Sequence, residues 1–145
     1  QIIADYHTGY SLIEMRDRFH QRYNERHYQD WCHVIPNAEI CAIALLWGAG
    51  DFTRAIAYSV MLGLDTDCNG ATVGSVIGIL CGLNDIPAHW SAPFHDRYRM
   101  PIRCLGTMTT VSISETAREM ANVALRCMND APTDVGGKPV MANIV

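Results

Sequence analysis

Apolar positions recur at helical spacing through much of the chain. Leu12, Met15, Phe19 and Tyr23 fall on one stripe while Glu14, Arg16, Asp17 and Arg18 turn outward, which predicts a helix from Ser11 to about Asn24. Gly9 and Ser11 supply its start. Asn24 to Gln29 is polar and forms a connection. Pro36 suits the first turn of a second helix, continued by Asn37 to Trp47 and ended by Gly48 and Gly50. Asp51 caps a third, through Phe52, Ala55, Ile56, Val60 and Met61, and Gly63 ends it.

The next stretch departs from simple amphipathicity. Gly70, Gly74, Gly78 and Gly82 recur every fourth residue, so on a helix they form one bare stripe. Glycine inside a helix costs about 1 kcal/mol relative to alanine. The stripe therefore predicts a fourth helix that is buried and approached closely by another backbone. A phosphate-binding loop is excluded, since there is no G-x-x-x-x-G-K-[ST]. Pro87, Pro93 and Pro101 punctuate an irregular stretch from Asn84 to about Cys104. Ser112 or Ser114 then caps a fifth helix carrying Ala117, Met120, Ala121, Ala124, Leu125 and Met128, and Ser112 to Glu115 offers a capping box. With no run of alternating strands, the fold class is all-α. The expected division is a helical domain over 1–130 and a tail or linker over 131–145, where Pro132, Gly136, Gly137 and Pro139 fall.

Composition narrows the function. The 145 residues are 49% hydrophobic and 18% charged, enough to bury a core, which excludes bulk disorder. A net charge of −4 carries no nucleic-acid-binding signature. No apolar run approaches the roughly 20 residues that span a bilayer. Asp5, His7 and Glu14 interrupt any early signal-peptide core, so a cytoplasmic location is expected. The chain starts at Gln1 without an initiator methionine, which suggests a piece of something longer. The six cysteines include no C-x-x-C pair. Cys41, Cys81 and Cys127 lie in apolar surroundings as small core hydrophobes, and a reducing compartment follows.

Candidate chemistry concentrates at Asp65 and Asp67. In an extended segment residues i and i+2 point to one side, so the two carboxylates converge within reach of one ion. On a helix they would diverge by about 200°. Carboxylate oxygens suit hard divalent cations such as Mg²⁺ or Mn²⁺. The competing account is simple: acidic residues just before a helix cap its N–H groups and suit its dipole.

Asp65-Thr66-Asp67-Cys68-Asn69-Gly70-Ala71-Thr72-Val73-Gly74-Ser75-Val76-Ile77-Gly78 resembles the C-terminal metal motif of the ADP-ribosylglycohydrolase family. His33 to Ala38, Gly50 to Ile56 and Ile86 to Trp90 resemble that family's flanking segments in the same order. The resemblance implies an all-α orthogonal helical bundle, present here as a C-terminal part, and a two-metal Mg²⁺ or Mn²⁺ centre. It implies hydrolysis of a glycosidic bond of ADP-ribose on a modified protein or small molecule. Asp65 and Asp67 match the motif's aspartate ligands. Cys68 stands where the family usually places a Thr or Ser hydroxyl ligand, and a thiol is too soft to suit Mg²⁺. The family's other ligands lie in an N-terminal half, in a Thr-Asp-Asp motif that this chain lacks. The missing half is therefore an expected partner, and the general base would come from it. Asn69 and His33 are the candidate substrate contacts, with Asn69 also placed to orient a ligand. Arg97, Tyr98, Arg99 and Arg103 are candidates for a pyrophosphate or for surface ion pairs, and Trp31, Trp47 and Trp90 for packing. The alternative reading is a non-catalytic helical module that binds ADP-ribose or serves a structural role.

Overall fold

The computed structural model describes residues 1–24, 26, 30–100 and 109–129, with the side chain of Met100 excepted. Helices dominate, as the periodicity predicts. The chain forms two compact units, Gln1–Trp90 and Ser91–Val145. The predicted tail over 131–145 lies outside the described residues, as do Cys104 and Arg103.

The first unit is built from α1 (Ile2–Thr8), α2 (Leu12–Arg22), α3 (Val34–Gly48), α4 (Phe52–Met61) and α5 (Thr66–Cys81), followed by a 3₁₀ turn (Leu83–Asp85) and the short α6 (Ala88–Ser91). Local chemistry sets several boundaries. Ser11 accepts the Glu14 N–H while Glu14 Oε2 accepts the Ser11 N–H at 2.8 Å, a complete capping box. Asp51 Oδ1 accepts the Arg54 N–H at 2.7 Å. The pattern had missed α1: Gly9, expected to open the next helix, instead closes this one with φ 87°.

The central element is α3. It buries Ile40, Ile43, Ala44 and Gly48 along one stripe. Ile40 and Ile43 join Ile2, Met15, Phe19 and Leu62 in one cluster. Ala44 joins Ala55, Val73 and Ile77 in a second. Burial at this scale supplies the main drive to fold, at roughly 25 cal/mol per Å² of apolar surface.

Two expectations about α5 need correction. The helix is not buried all round: Val73 and Ile77 are inside, whereas Ile79 and Leu80 are 86% and 71% exposed. Its glycine stripe faces α4 but meets side chains rather than backbone. A Cβ at Gly74 would sit 3.6 Å from Ile56 Cδ1, and one at Gly78 would sit 3.7 Å from Phe52 Cε2. The close backbone approach lies elsewhere, at Gly48, where a Cβ would fall 2.9 Å from Ala55 Cα.

In the second unit, the stretch expected to be irregular contains a 3₁₀ turn (Ala92–Phe94) and a strand, β1 (Arg97–Met100), which pairs antiparallel with β2 (Thr109–Ser112) beyond that stretch. Arg97 pairs with Ser112 and Arg99 with Thr110, so Arg97, Tyr98 and Arg99 are strand residues. The final helix α7 (Ile113–Asn129) begins directly after β2. Ser112 Oγ accepts the Glu115 N–H at 3.1 Å, the cap expected. Asp96, not foreseen, adds a second: it accepts the Ser114 N–H at 2.8 Å and the hydroxyls of Ser112 and Ser114. These bonds, the Ser112 hydroxyl first, hold its carboxyl below the usual range. Cys127 is exposed, not the core residue expected, because none of the described side chains of α7 is buried. Among the described residues no helix is long and apolar enough to cross a membrane.

Candidate metal centre

The turn between α4 and α5 delivers the acidic pair. Gly63 and Leu64 both take positive φ, 81° and 55°. A left-handed leucine is uncommon and costs on the order of 1–3 kcal/mol. Leu64 is held there by packing its side chain on the first core cluster. The turn sets Asp65 as the N-cap residue of α5, with Asp67 already in the first turn.

The extended segment inferred for Asp65 to Asp67 is therefore not what forms. The helix starts at Thr66, and the pair straddles its first residue. Convergence survives because Asp65 is not yet helical, with φ −81° and ψ 71°. The neighbouring Asp65 side chain first, then the backbone N–H groups of Cys68 and Asp67, hold the Asp67 carboxyl below its usual range. The capping account fails for Asp65, whose side chain makes no cap hydrogen bond.

Asp65 is buried while Asp67 is exposed, so the pair joins a fixed inner carboxylate to an accessible outer one. Asn37 Nδ2 donates to Asp65 Oδ2 at 3.1 Å. Asn69, 2% exposed, donates through Nδ2 to Asn37 Oδ1 at 3.2 Å. Cys41 Sγ donates to Asn69 Oδ1 at 3.7 Å. The Asn69 side chain thus reaches Asp65 through Asn37. His33 is the N-cap of α3, its Nδ1 accepting the Ile35 N–H at 3.3 Å. Cys68 is exposed beside the pair, and the Asp65 charge, then burial and the Asp67 charge, push its thiol up. A protonated thiol is a poor metal ligand.

Asn37 was not foreseen as a site residue. A signal existed: Asn37 and Cys41 are four apart, as are Asp65 and Asn69, so each pair shares one face of its helix. Trp47 and Trp90 pack as expected, Trp47 donating to the Tyr10 carbonyl at 2.8 Å and Trp90 to Thr53 Oγ1 at 2.9 Å. Trp31 does not: it is 59% exposed.

The donor set suits a hard cation in part. Two adjacent carboxylates, one oriented by an amide, fit the way Mg²⁺ is commonly held, by one or two carboxylates with the remaining positions left to water or substrate. Like charges in contact also leave the pair favourable to any cation. Among the described residues no three His, Cys, Asp or Glu side chains are grouped to hold a metal ion.

Residues 4–132 match the family model described as ADP-ribosylglycohydrolase. No curated protein and no solved structure matches the chain.

Proposed function

We propose, from the premise that the chain belongs to the ADP-ribosylglycohydrolase family, that it forms part of a metal-dependent glycosidase. The bond cleaved joins ADP-ribose to a modified protein or a small molecule. The observation that carries this reading is the Asp65–Asp67 carboxyl pair at the start of α5, its inner member fixed by Asn37.

Asp65 and Asp67 are the residues that would hold Mg²⁺ or Mn²⁺. When bound, the cation supplies Lewis acidity and a template for ribose hydroxyls and water. Asp65 contributes a preoriented oxygen, since its burial and its bond to Asn37 limit where the carboxylate can point. Asp67, exposed and held ionised, presents negative charge at the surface of the site. Asn69 stays inside and supports Asp65 through Asn37. No residue here is assigned as general base, and the remaining ligands and the base are ascribed to a segment outside these 145 residues.

The test is release of ADP-ribose from an ADP-ribosylated protein by the full-length protein that carries this sequence. Activity should require Mg²⁺ or Mn²⁺, vanish with EDTA, and fall by at least about a hundredfold in Asp65→Ala. Activity in EDTA would overturn the reading.

A second reading, a silent module that binds ADP-ribose without cleaving it, is favoured by Cys68 standing in place of a hydroxyl ligand. It predicts calorimetric ADP-ribose binding that Asp65→Ala leaves unchanged, and no release under any metal condition.

A further inference from the structure

We propose that Asn37, locked by Asn69 and Cys41, is a positioning residue that aims the Asp65 carboxylate at the cation. This rests on the reading of Asp65 and Asp67 as metal ligands. The three side chains make a one-way chain of donors: Cys41 Sγ to Asn69 Oδ1 at 3.7 Å, Asn69 Nδ2 to Asn37 Oδ1 at 3.2 Å, Asn37 Nδ2 to Asp65 Oδ2 at 3.1 Å.

Its direction is dictated by chemistry. An ionised carboxylate only accepts, so Asn37 must turn its NH₂ toward Asp65. That leaves the Asn37 carbonyl facing α5, where Asn69 must answer with its own NH₂. The Asn69 carbonyl then needs a donor, and the Cys41 thiol is one. Reversing the Asn37 amide would set acceptor against acceptor at Asp65 and donor against donor at Asn69, and reversing the Asn69 amide would set its carbonyl against that of Asn37. Each residue has one orientation that satisfies its neighbours, which makes the chain a lock rather than a loose contact.

Placement explains why the lock is rigid. Asn37 and Cys41 lie on α3, and Asp65 and Asn69 on α5, helices that pack on one another. Asn69 is 2% exposed and Asp65 8%, so water does not compete freely for these bonds. One oxygen of Asp65 is occupied by Asn37, which restricts the carboxylate to orientations in which the other is free for Asp67 and a cation. Amides behind metal-ligating carboxylates typically change metal affinity by 10–100-fold when removed.

The experiment is Mn²⁺ binding by electron paramagnetic resonance, on the full chain and its variants, with melting curves recorded in EDTA. Asn37→Leu, close in volume and without donors, should weaken Mn²⁺ binding about tenfold. Cys41→Ser keeps a donor and should bind like the parent protein. In the Asp65→Ala background, Asn37→Leu should have no further effect, because a positioning residue acts only through its target. Resonances of the Asn37 side-chain NH₂ should also shift on Mg²⁺ addition, which a packing role would not produce.

A folded Asn37→Leu with parental affinity overturns the inference and leaves the metal reading standing. So does an Asn37→Leu effect that persists undiminished in Asp65→Ala. Absence of Mn²⁺ binding by the parent protein overturns both. Should Asn37→Leu fail to fold, Asn37→Ser and Asn69→Ala serve the same comparison, with loss of affinity expected and parental affinity overturning.

Discussion

At the scale of single residues, several demands meet on Asp65. It is buried, it accepts from Asn37, and it shares a contact with the Asp67 carboxyl. Two neighbouring carboxylates, were both ionised, would repel unless a cation or a shared proton offset them. Asp65→Asn keeps the shape and an oxygen for Asn37 while removing one charge. Its expected outcome is therefore split: a melting temperature in EDTA equal to or above that of the parent protein, with Mn²⁺ affinity lower by at least about tenfold. Melting curves and a Mn²⁺ titration read the two halves separately. The neighbouring Cys68 gives the converse case. Its thiol is pushed toward the neutral form by the Asp65 charge above all, and is soft. Cys68→Thr puts a hard hydroxyl oxygen in that place, and calorimetry should then find Mg²⁺ binding tighter by a few-fold, about 1 kcal/mol or less.

Elements show which physical information the sequence carries on its face. Caps are local, and Ser11 and Asp51 act where the spacing put them, as does Ser112. Pairing between distant segments is not local, and neither the β1–β2 pair nor the second cap from Asp96 was legible. The acidic pair was legible as two residues; that one precedes the helix and the other lies inside it was not, because it depends on Leu64 taking a left-handed conformation. Asn37 escaped because an amide is ordinary in a helix until the facing helix is known. The glycines show the same divide. Their stripe was visible, but its partner was misjudged, and the tight crossing is at Gly48. Gly48→Ala should cost about 1–3 kcal/mol, since its Cβ would fall 2.9 Å from the Ala55 backbone and only helix movement can relieve that. Gly74→Ala meets only Ile56 at 3.6 Å and should be neutral or stabilising by up to about 1 kcal/mol from helix propensity. Urea denaturation of the two variants checks the contrast; equal losses would return the close approach to the stripe.

For the molecule as a whole, the question is what the inner surfaces leave over. In the first unit both core clusters pass through α3. The other side of α5 lies outside them: Val76, Ile79 and Leu80, spaced to share one face, are 48%, 86% and 71% exposed. Val34 and Ile35 at the start of α3 are exposed as well, at 72% and 55%. Single exposed apolar residues are ordinary, but several on one helix face form a patch of the kind that drives association. Two effects then compete in the isolated 145-residue chain. A net charge of −4 disfavours association, yet charge repulsion is screened beyond about 8 Å at physiological salt, while apolar contact is not. Apolar contact should win at high concentration. Light scattering should therefore find mass rising with concentration, more steeply at higher salt. Ile79→Lys with Leu80→Glu, at positions that touch neither core cluster, should restore a monomer without lowering the melting temperature. Growth of mass that these substitutions leave untouched would locate the sticky surface elsewhere.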